Sequence, residues 1–119
     1  MARILFVDDD PFTLEMLNKS VQIIGHEAIL AYSGEQALAL SKSQSPDLIL
    51  TDMRLPDMDG LALLKSLKQA STTRDISVVV LSASPELDAA ELTRSAGAKE
   101  YLLKPVRLQT LQEVIERYT

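Results

Sequence analysis

The stretch LFVDDDPFTLEML (residues 5–17) joins an apolar run to a helical pattern through three consecutive aspartates. We predict a β-strand over RILFV (3–7), because an unbroken apolar run is typical of a parallel strand covered on both faces. Apolar residues then recur every three or four positions, which indicates a helix with one buried stripe: Leu14, Leu17, Val21 and Ile24. A strand followed at once by a helix indicates a βα unit, with three like charges at the junction.

Capping signals divide the rest of the chain into helices. Signals for helix starts occur at Asp10-Pro11, at SGEQ (33–36), which has the spacing of a capping box, and at Ser84-Pro85. Gly25 and Gly97 have the position of a glycine that ends a helix. The last helix has apolar residues on one side: Leu108, Leu111, Ile115 and Tyr118.

Further β-rich runs alternate with these helices. We predict strands at EAILA (27–31), DLILT (47–51), SVVVLS (77–82) and EYLLK (100–104). Alternating strands and helices indicate an α/β fold with a parallel sheet. Five successive strand–helix units predict a (βα)5 doubly wound, five-stranded parallel sheet, and right-handed crossovers favour the strand order 2-1-3-4-5.

The composition excludes several classes of protein. With 119 residues, the chain suits one domain, and it contains neither a run long enough to cross a bilayer nor a signal-peptide pattern. It has no cysteine, and its one histidine, His26, argues against a multi-histidine metal site, so we interpret His26 as an ordinary residue at the start of the second strand. A net charge of −5 argues against direct nucleic-acid binding. We therefore expect a cytoplasmic domain without a membrane partner.

Polar side chains follow or end four of the predicted strands. Asp8 and Asp9 follow the first, Asp52 the third, Ser82 ends the fourth and Lys104 ends the fifth. In an open parallel sheet these ends meet at one edge, near the switch in strand order. Carboxylates this close need protons or a cation, and a hard divalent ion such as Mg²⁺ fits oxygen ligands. An aspartate can also be a nucleophile, with a lysine and a hydroxyl holding phosphoryl oxygens.

Each polar residue alone has an ordinary structural explanation. We assign Asp10 to helix capping, and Asp57 and Asp59 in PDMDG to a turn. A lysine at a strand end is usually solvated, and a hydroxyl there usually has a hydrogen-bond partner. The functional interpretation is favoured because five such groups fall on one edge of the sheet.

In their order and spacing, four motifs resemble the receiver domain of two-component response regulators: Asp8-Asp9, LTDMRLPDMDG (50–60), LSA (81–83) and YLLKP (101–105). The resemblance covers essentially all of residues 1–119. It implies one flavodoxin-like receiver (response regulatory) domain, similar to the single-domain chemotaxis regulators. It also implies a phosphoprotein of phosphorelay signalling that is not an enzyme beyond its own phosphotransfer and autodephosphorylation.

The resemblance assigns a role to each acidic residue. Asp52 would accept a phosphoryl group from a histidine kinase or a histidine phosphotransfer protein. Asp9 and Asp52 would bind Mg²⁺ (or Mn²⁺) directly, and Asp8 would act largely through water. The backbone carbonyl of Arg54 would be the third protein ligand.

The resemblance also implies how phosphorylation changes the surface. Ser82 and Lys104 would contact the phosphoryl oxygens, small Ala83 would leave room for them, and the Lys104-Pro105 peptide is expected to be cis. Ser82 would move toward the phosphoryl group, and Tyr101 would turn inward behind it. This would remodel helix 4, strand 5 and helix 5 to control a partner or an output domain. Alternatively, Tyr101 only packs at the rim of the sheet.

Other properties stay open at this point. The resemblance places Arg54 and Ser84 where side chains tune the access of hydrolytic water to the phospho-aspartate, so the lifetime of the phosphorylated state is open. The cognate kinase and the output pathway are open too. The chain is either a stand-alone regulator or a receiver from a longer protein, and either a monomer or a weak, phosphorylation-dependent dimer.

Three rival interpretations explain less of the sequence. A haloacid-dehalogenase-type phosphatase would use the Asp8-x-Asp10 pair, but only Glu113 and Glu116, in the last helix, follow the lysine where that family needs a second acidic pair. A flavin-binding module would need a phosphate loop without aspartates after the first strand. A pseudo-receiver that binds partners without phosphorylation usually lacks one of the five site residues, whereas this chain has them all.

Overall fold

The computed structural model describes residues 1–83 and 87–119. Ser84, a predicted tuning residue, and the predicted Ser84-Pro85 helix start lie outside the described residues. The strands are β1 (Arg3–Val7), β2 (Glu27–Ala31), β3 (Leu48–Asp52), β4 (Ser77–Ser82) and β5 (Glu100–Leu103). The helices are α1 (Pro11–Ile23), α2 (Gly34–Gln44), α3 (Gly60–Gln69), α4 (Leu87–Ser95) and α5 (Leu108–Tyr118). No helix in these two ranges is long and apolar enough to span a bilayer.

The strands form one parallel sheet in the order β2-β1-β3-β4-β5, so the predicted fold is confirmed. Two strands differ from the prediction by one residue, β3 at both ends and β5 at its end. β3 includes Asp52, which pairs with Leu81 of β4, and begins after Asp47, whose carboxylate instead accepts a hydrogen bond from the Arg3 N–H. β5 ends at Leu103, and Lys104 therefore follows the strand.

Apolar side chains cover both faces of the sheet. Ile4 and Phe6 of β1 belong to the core on one face, which α1 and α5 complete with Leu14, Val21, Leu111, Val114 and Ile115. Leu5 and Val7 belong to the opposite core, which α2 and α3 complete with Ala37, Leu63, Leu64 and Leu67. Successive strand residues point to opposite faces, and both faces are buried, which explains the unbroken apolar runs.

The helix starts follow the predicted capping with one difference. Asp10 caps α1, and its Oδ1 accepts a hydrogen bond from the Phe12 N–H at 3.0 Å. Ser33 caps α2 by accepting from the Gln36 N–H at 3.1 Å. The second half of the capping box differs, because Gln36 Oε1 accepts from the Tyr32 N–H at 2.7 Å rather than from the cap residue.

The two predicted helix-ending glycines are confirmed. Gly25 has φ of 87° and Gly97 has φ of 112°, the left-handed region that glycine adopts without a steric penalty. His26, directly after Gly25, accepts a hydrogen bond at Nδ1 from the Ala2 N–H at 2.9 Å. This contact ties the start of β2 to the start of β1 and agrees with a structural role for the histidine.

Candidate functional site at the carboxyl edge of the sheet

Asp8 and Asp9 follow β1 and differ in their surroundings. Asp8 is 3% exposed, and its N–H donates to the Ala31 carbonyl. Its Oδ1 accepts from the Asp10 N–H at 2.9 Å and its Oδ2 from Lys104 Nζ at 2.7 Å. Asp9 is exposed to solvent. Both oxygens of Asp8 therefore have protein partners, whereas Asp9 is accessible to an ion from solvent.

Asp52 completes the acidic cluster from β3, next to β1 in the sheet. One carboxylate oxygen from each of Asp8, Asp9 and Asp52 lies within 4.8 Å of the other two. Lys104 Nζ lies 3.1 Å from Asp52 Oδ2, so this lysine bridges Asp8 and Asp52. Three carboxylates and one ammonium leave two negative charges in excess. A divalent ion fits this charge and these oxygen donors.

Two opposing effects determine the pKa of Lys104. Its partial burial alone would lower the pKa, but the hydrogen bonds from Lys104 to Asp8 and Asp52, and the charges of both carboxylates, outweigh burial. The pKa of Lys104 is therefore raised, and the side chain is charged at neutral pH. A fixed positive charge at this point is suited to hold anionic oxygens.

The predicted residues of the other strands line one cleft of about 380 Å³ beside Asp52. Its walls are Asp52, Met53, Arg54, Asp59, Ser82, Ala83, Ala89, Tyr101 and Lys104. Ser82 is buried, Tyr101 is half-buried, and the Lys104 N–H donates to the Ser82 carbonyl at 2.8 Å. The Lys104-Pro105 peptide is cis, as expected.

The loop between β3 and α3, residues 53–59, forms one wall of this cleft. It is closed by hydrogen bonds from the Gly60 N–H to the Met53 carbonyl and from the Leu55 N–H to the Met58 carbonyl. Arg54 and Asp59 form an antiparallel bridge across it. A Cβ atom on Gly60 would lie 2.7 Å from the Asp52 carbonyl oxygen, so the tight return of the chain needs glycine at this position.

Two aspartates of this loop have roles that a turn alone does not explain. Asp59 is the N-cap of α3 and accepts from the Ala62 N–H at 2.7 Å. The Asp57 carboxylate accepts from the Gly34 and Glu35 N–H groups of α2, each at 2.8 Å. The capping role of Asp59 has a local signal, since an apolar helical pattern follows it. The Asp57 contact has none, because its partners lie on another helix.

The carboxyl edge of the sheet thus holds an acidic cluster, a fixed ammonium and a buried hydroxyl. This class of site is suited to phosphoryl chemistry with a divalent cation. The family model of the response regulator receiver domain matches residues 4–116. The chain therefore belongs to the response regulator receiver family, the signalling domains of two-component systems.

Three relatives illustrate the family. The chain is 37% identical over 114 residues to the transcriptional regulatory protein ZraR of Salmonella typhimurium, covering 96% of this chain but 25% of that protein. It is 32% identical to the sporulation initiation phosphotransferase F of Bacillus subtilis, covering 98% of this chain and 92% of the relative.

The third relative is a solved structure, the receiver domain of the sensor histidine kinase PA1611 of Pseudomonas aeruginosa, which has a magnesium ion in its active-site cleft. It superposes with a TM-score of 0.89 at 28% identity, over 98% of this chain and 96% of that one. The two folds therefore match over nearly the whole of both chains.

Proposed function

We propose that this receiver is a phosphorylation-activated switch in which Asp52 accepts a phosphoryl group from a histidine kinase or a histidine phosphotransfer protein. The observation that carries the proposal is the convergence of Asp8, Asp9 and Asp52 within 4.8 Å, with Lys104 bridging two of them. Of the three carboxylates, that of Asp52 lines the cleft, where a phosphoryl group has space.

In the proposed reaction, a carboxylate oxygen of Asp52 attacks the phosphorus atom of a phosphohistidine. A P–O bond to Asp52 forms as the P–N bond breaks, and the electron pair of that bond remains on the departing imidazole nitrogen. Lys104 and the Ser82 hydroxyl hold the phosphoryl oxygens. Lys104 already lies 3.1 Å from Asp52, so it can follow the developing charge with little movement.

Mg²⁺ or Mn²⁺ would be held by the Asp9 and Asp52 carboxylates and the Arg54 carbonyl, with Asp8 acting through water. The metal would supply neutralisation of the phosphoryl charge. The engagement of both Asp8 oxygens with protein partners supports an indirect role for that residue. The magnesium ion in the PA1611 receiver supports the choice of metal.

The proposed switch couples Ser82 and Tyr101, which line the same cleft. Movement of Ser82 toward the phosphoryl group would let Tyr101 turn inward, and the surface formed by α4, β5 and α5 would change. Exposed apolar side chains on each of these elements support a partner surface there: Leu92, Leu103 and Leu108. The partner is an output protein or domain in the cytoplasm, and activated chains associate weakly at most.

Arg54 and Ser84 are proposed to tune the lifetime of the phosphorylated state. Arg54 is exposed and lines the cleft with Asp52, which supports a role in controlling the approach of water to Asp52. We expect Arg54→Ala to change the dephosphorylation rate severalfold. Decay of the phosphorylated protein, followed by intact mass, measures this, and an unchanged rate would contradict the role.

The test of the proposed function is intact mass after incubation with a small acyl phosphate, in Mg²⁺ or in EDTA. We expect one phosphoryl adduct on the wild type in Mg²⁺ and none on Asp52→Asn. A phosphohistidine donor serves as a second arm, because some receivers do not react with small donors. Failure with both donors, without Mg²⁺ binding, would favour the pseudo-receiver.

A further inference from the structure

The Asp57 carboxylate lies outside the acidic cluster, and the proposed reaction does not use it. Its Oδ1 accepts a hydrogen bond from the Gly34 N–H and its Oδ2 from the Glu35 N–H, both at 2.8 Å. These N–H groups belong to the first turn of α2, which has no intrahelical partners for them. The loop after β3 therefore caps a helix that precedes β3 in the chain.

A second contact reinforces this attachment. A Cβ atom on Gly34 would lie 2.5 Å from Cγ and Sδ of Met58, so the loop docks where α2 has no side chain. The hydrogen bonds from Glu35 and Gly34 hold the pKa of Asp57 below its ordinary value, and the carboxylate is charged at neutral pH. A negative charge at a helix N-terminus is also favourable with respect to the helix dipole.

The other side of the same loop faces the cleft. Met53, Arg54 and Asp59 line it, and the loop is closed on itself by the Leu55–Met58 and Gly60–Met53 hydrogen bonds. A short closed loop moves as a unit, so the attachment at Asp57 also restrains Arg54. The Arg54 carbonyl is the proposed third protein ligand of the cation.

We infer that Asp57 is a positioning residue that clamps the β3–α3 loop to α2 and thereby raises the affinity of the acidic cluster for a divalent cation. The inference rests on the proposed function, which supplies the cation. Mg²⁺ requires near-ideal octahedral geometry, so a ligand on an unattached loop would have to be ordered when the ion binds. Groups that orient metal ligands contribute strongly to affinity for the same reason.

The chain offers a matched control at the same helix terminus. Ser33 also caps α2, by accepting from the Gln36 N–H, but it precedes the helix and is not part of the β3–α3 loop. Ser33→Ala removes a cap from α2 and leaves the clamp, whereas Asp57→Ala removes both a cap and the clamp. Asp57→Asn keeps one acceptor oxygen of the two.

The experiment measures Mn²⁺ affinity by the loss of the free-ion signal in electron paramagnetic resonance. We expect Asp57→Ala to bind Mn²⁺ about tenfold more weakly than the wild type, at the low end of such effects in metal sites. Asp57→Asn should lie between them, and Ser33→Ala should match the wild type. A measurement with Mg²⁺ by calorimetry should give the same order.

A second measurement uses the reciprocity of linked equilibria. If the clamp raises cation affinity, the cation must strengthen the clamp. Mg²⁺ should therefore slow hydrogen exchange at the Gly34 and Glu35 N–H groups in the wild type, but not in Asp57→Ala.

Equal affinity in Asp57→Ala and the wild type would overturn the inference, as would an equal loss in Ser33→Ala. Both results leave the proposed function intact if the wild type binds the cation and is phosphorylated. A wild type that binds neither Mn²⁺ nor Mg²⁺ would remove the cation from the proposed function, and the inference would fall with it.

Discussion

The two edges of the sheet use charged residues in opposite ways. At the amino edge, Arg3 donates to the Gln44 carbonyl at 2.6 Å, and the Asp47 carboxylate accepts from the Arg3 N–H at 2.8 Å. At the carboxyl edge, Asp8 and Asp52 share Lys104, and Asp9 is added to the same cluster. The Arg3 guanidinium also pairs with the Glu27 carboxylate at 3.9 Å, whereas at the carboxyl edge three clustered carboxylates are accompanied by one ammonium.

This difference separates polar residues that hold the fold from those placed for a ligand. Asp47 directly precedes β3 and Asp52 is its last residue, and as residue types the two are equivalent. Asp47 completes a hydrogen-bond pattern, which needs nothing further. Asp52 belongs to a cluster whose like charges repel, which is unfavourable unless a cation or a reaction uses it. Excess charge, rather than the presence of aspartates, indicates the site.

The largest effect should come from removing a charge from the cluster. Asp9→Asn should weaken Mg²⁺ binding by about a hundredfold, because the variant lacks a proposed direct ligand and one negative charge. Asp47→Asn is the matched control at the opposite edge and should leave Mg²⁺ affinity unchanged. Calorimetric titration with Mg²⁺ measures both. Similar losses in the two variants would contradict a distinction between the edges.

Lys104→Ala should give the next largest effect, this time on folding stability. Without the ammonium, Asp8 and Asp52 face each other uncompensated, and we expect a loss of about 2 kcal/mol in EDTA, reduced from fully buried values by partial exposure. Mg²⁺ should restore much of this loss, since it replaces the missing positive charge.

Arg3→Ala tests the same comparison from the amino edge. Loss of its hydrogen bonds to Gln44 should lower the free energy of unfolding by about 1 kcal/mol. Mg²⁺ should leave this difference in the free energy of unfolding from the wild type unchanged. Urea denaturation with and without Mg²⁺ measures both variants, and restoration of Arg3→Ala by the ion would be evidence against separate roles.

Much of this comparison could be predicted from sequence, because strand ends are local features. Apolar runs that end in Asp8, Ser82 and Lys104 locate the carboxyl edge once a parallel sheet is inferred. Both predicted bounds of β3 are wrong by one residue, because Asp47 and Asp52 flank the same apolar run. Pairing of Asp52 with Leu81 decides which of them joins the sheet, and that pairing is not local.

The Asp57 clamp is a contact that sequence patterns could not indicate. The turn predicted at PDMDG (56–60) is present and forms the tight return of the chain into α3. The partners of Asp57, Gly34 and Glu35, are set by how α2 packs beside the loop. Such a tertiary contact leaves no periodicity in the sequence, and no local rule connects the two segments.

Deprotonation of Lys104 at high pH should have a smaller effect on folding stability. Its folded pKa is raised above the ordinary value of 10.5 by Asp8 and Asp52, despite burial. Its stabilisation is therefore fully present below 10.5 and is lost as the pH rises through the folded pKa. The Tm difference between wild type and Lys104→Ala should shrink in that range, and a constant difference would exclude the ion pairs as its cause.

The smallest effect should come from Asp10, which is next to the cluster but serves the fold. Its hydrogen bonds with Thr13 and Phe12 lower its pKa below the ordinary value of 3.8. The stabilisation by this cap is present above 3.8 and is lost as the pH falls through the lowered pKa. Asp10→Ala should therefore lower Tm slightly at neutral pH and less in acid, with Mg²⁺ affinity near that of the wild type. Thermal denaturation at several pH values and calorimetry measure the two properties. A loss of Mg²⁺ affinity as large as that of Asp9→Asn would show that Asp10 contributes to the metal site as well as to the helix cap.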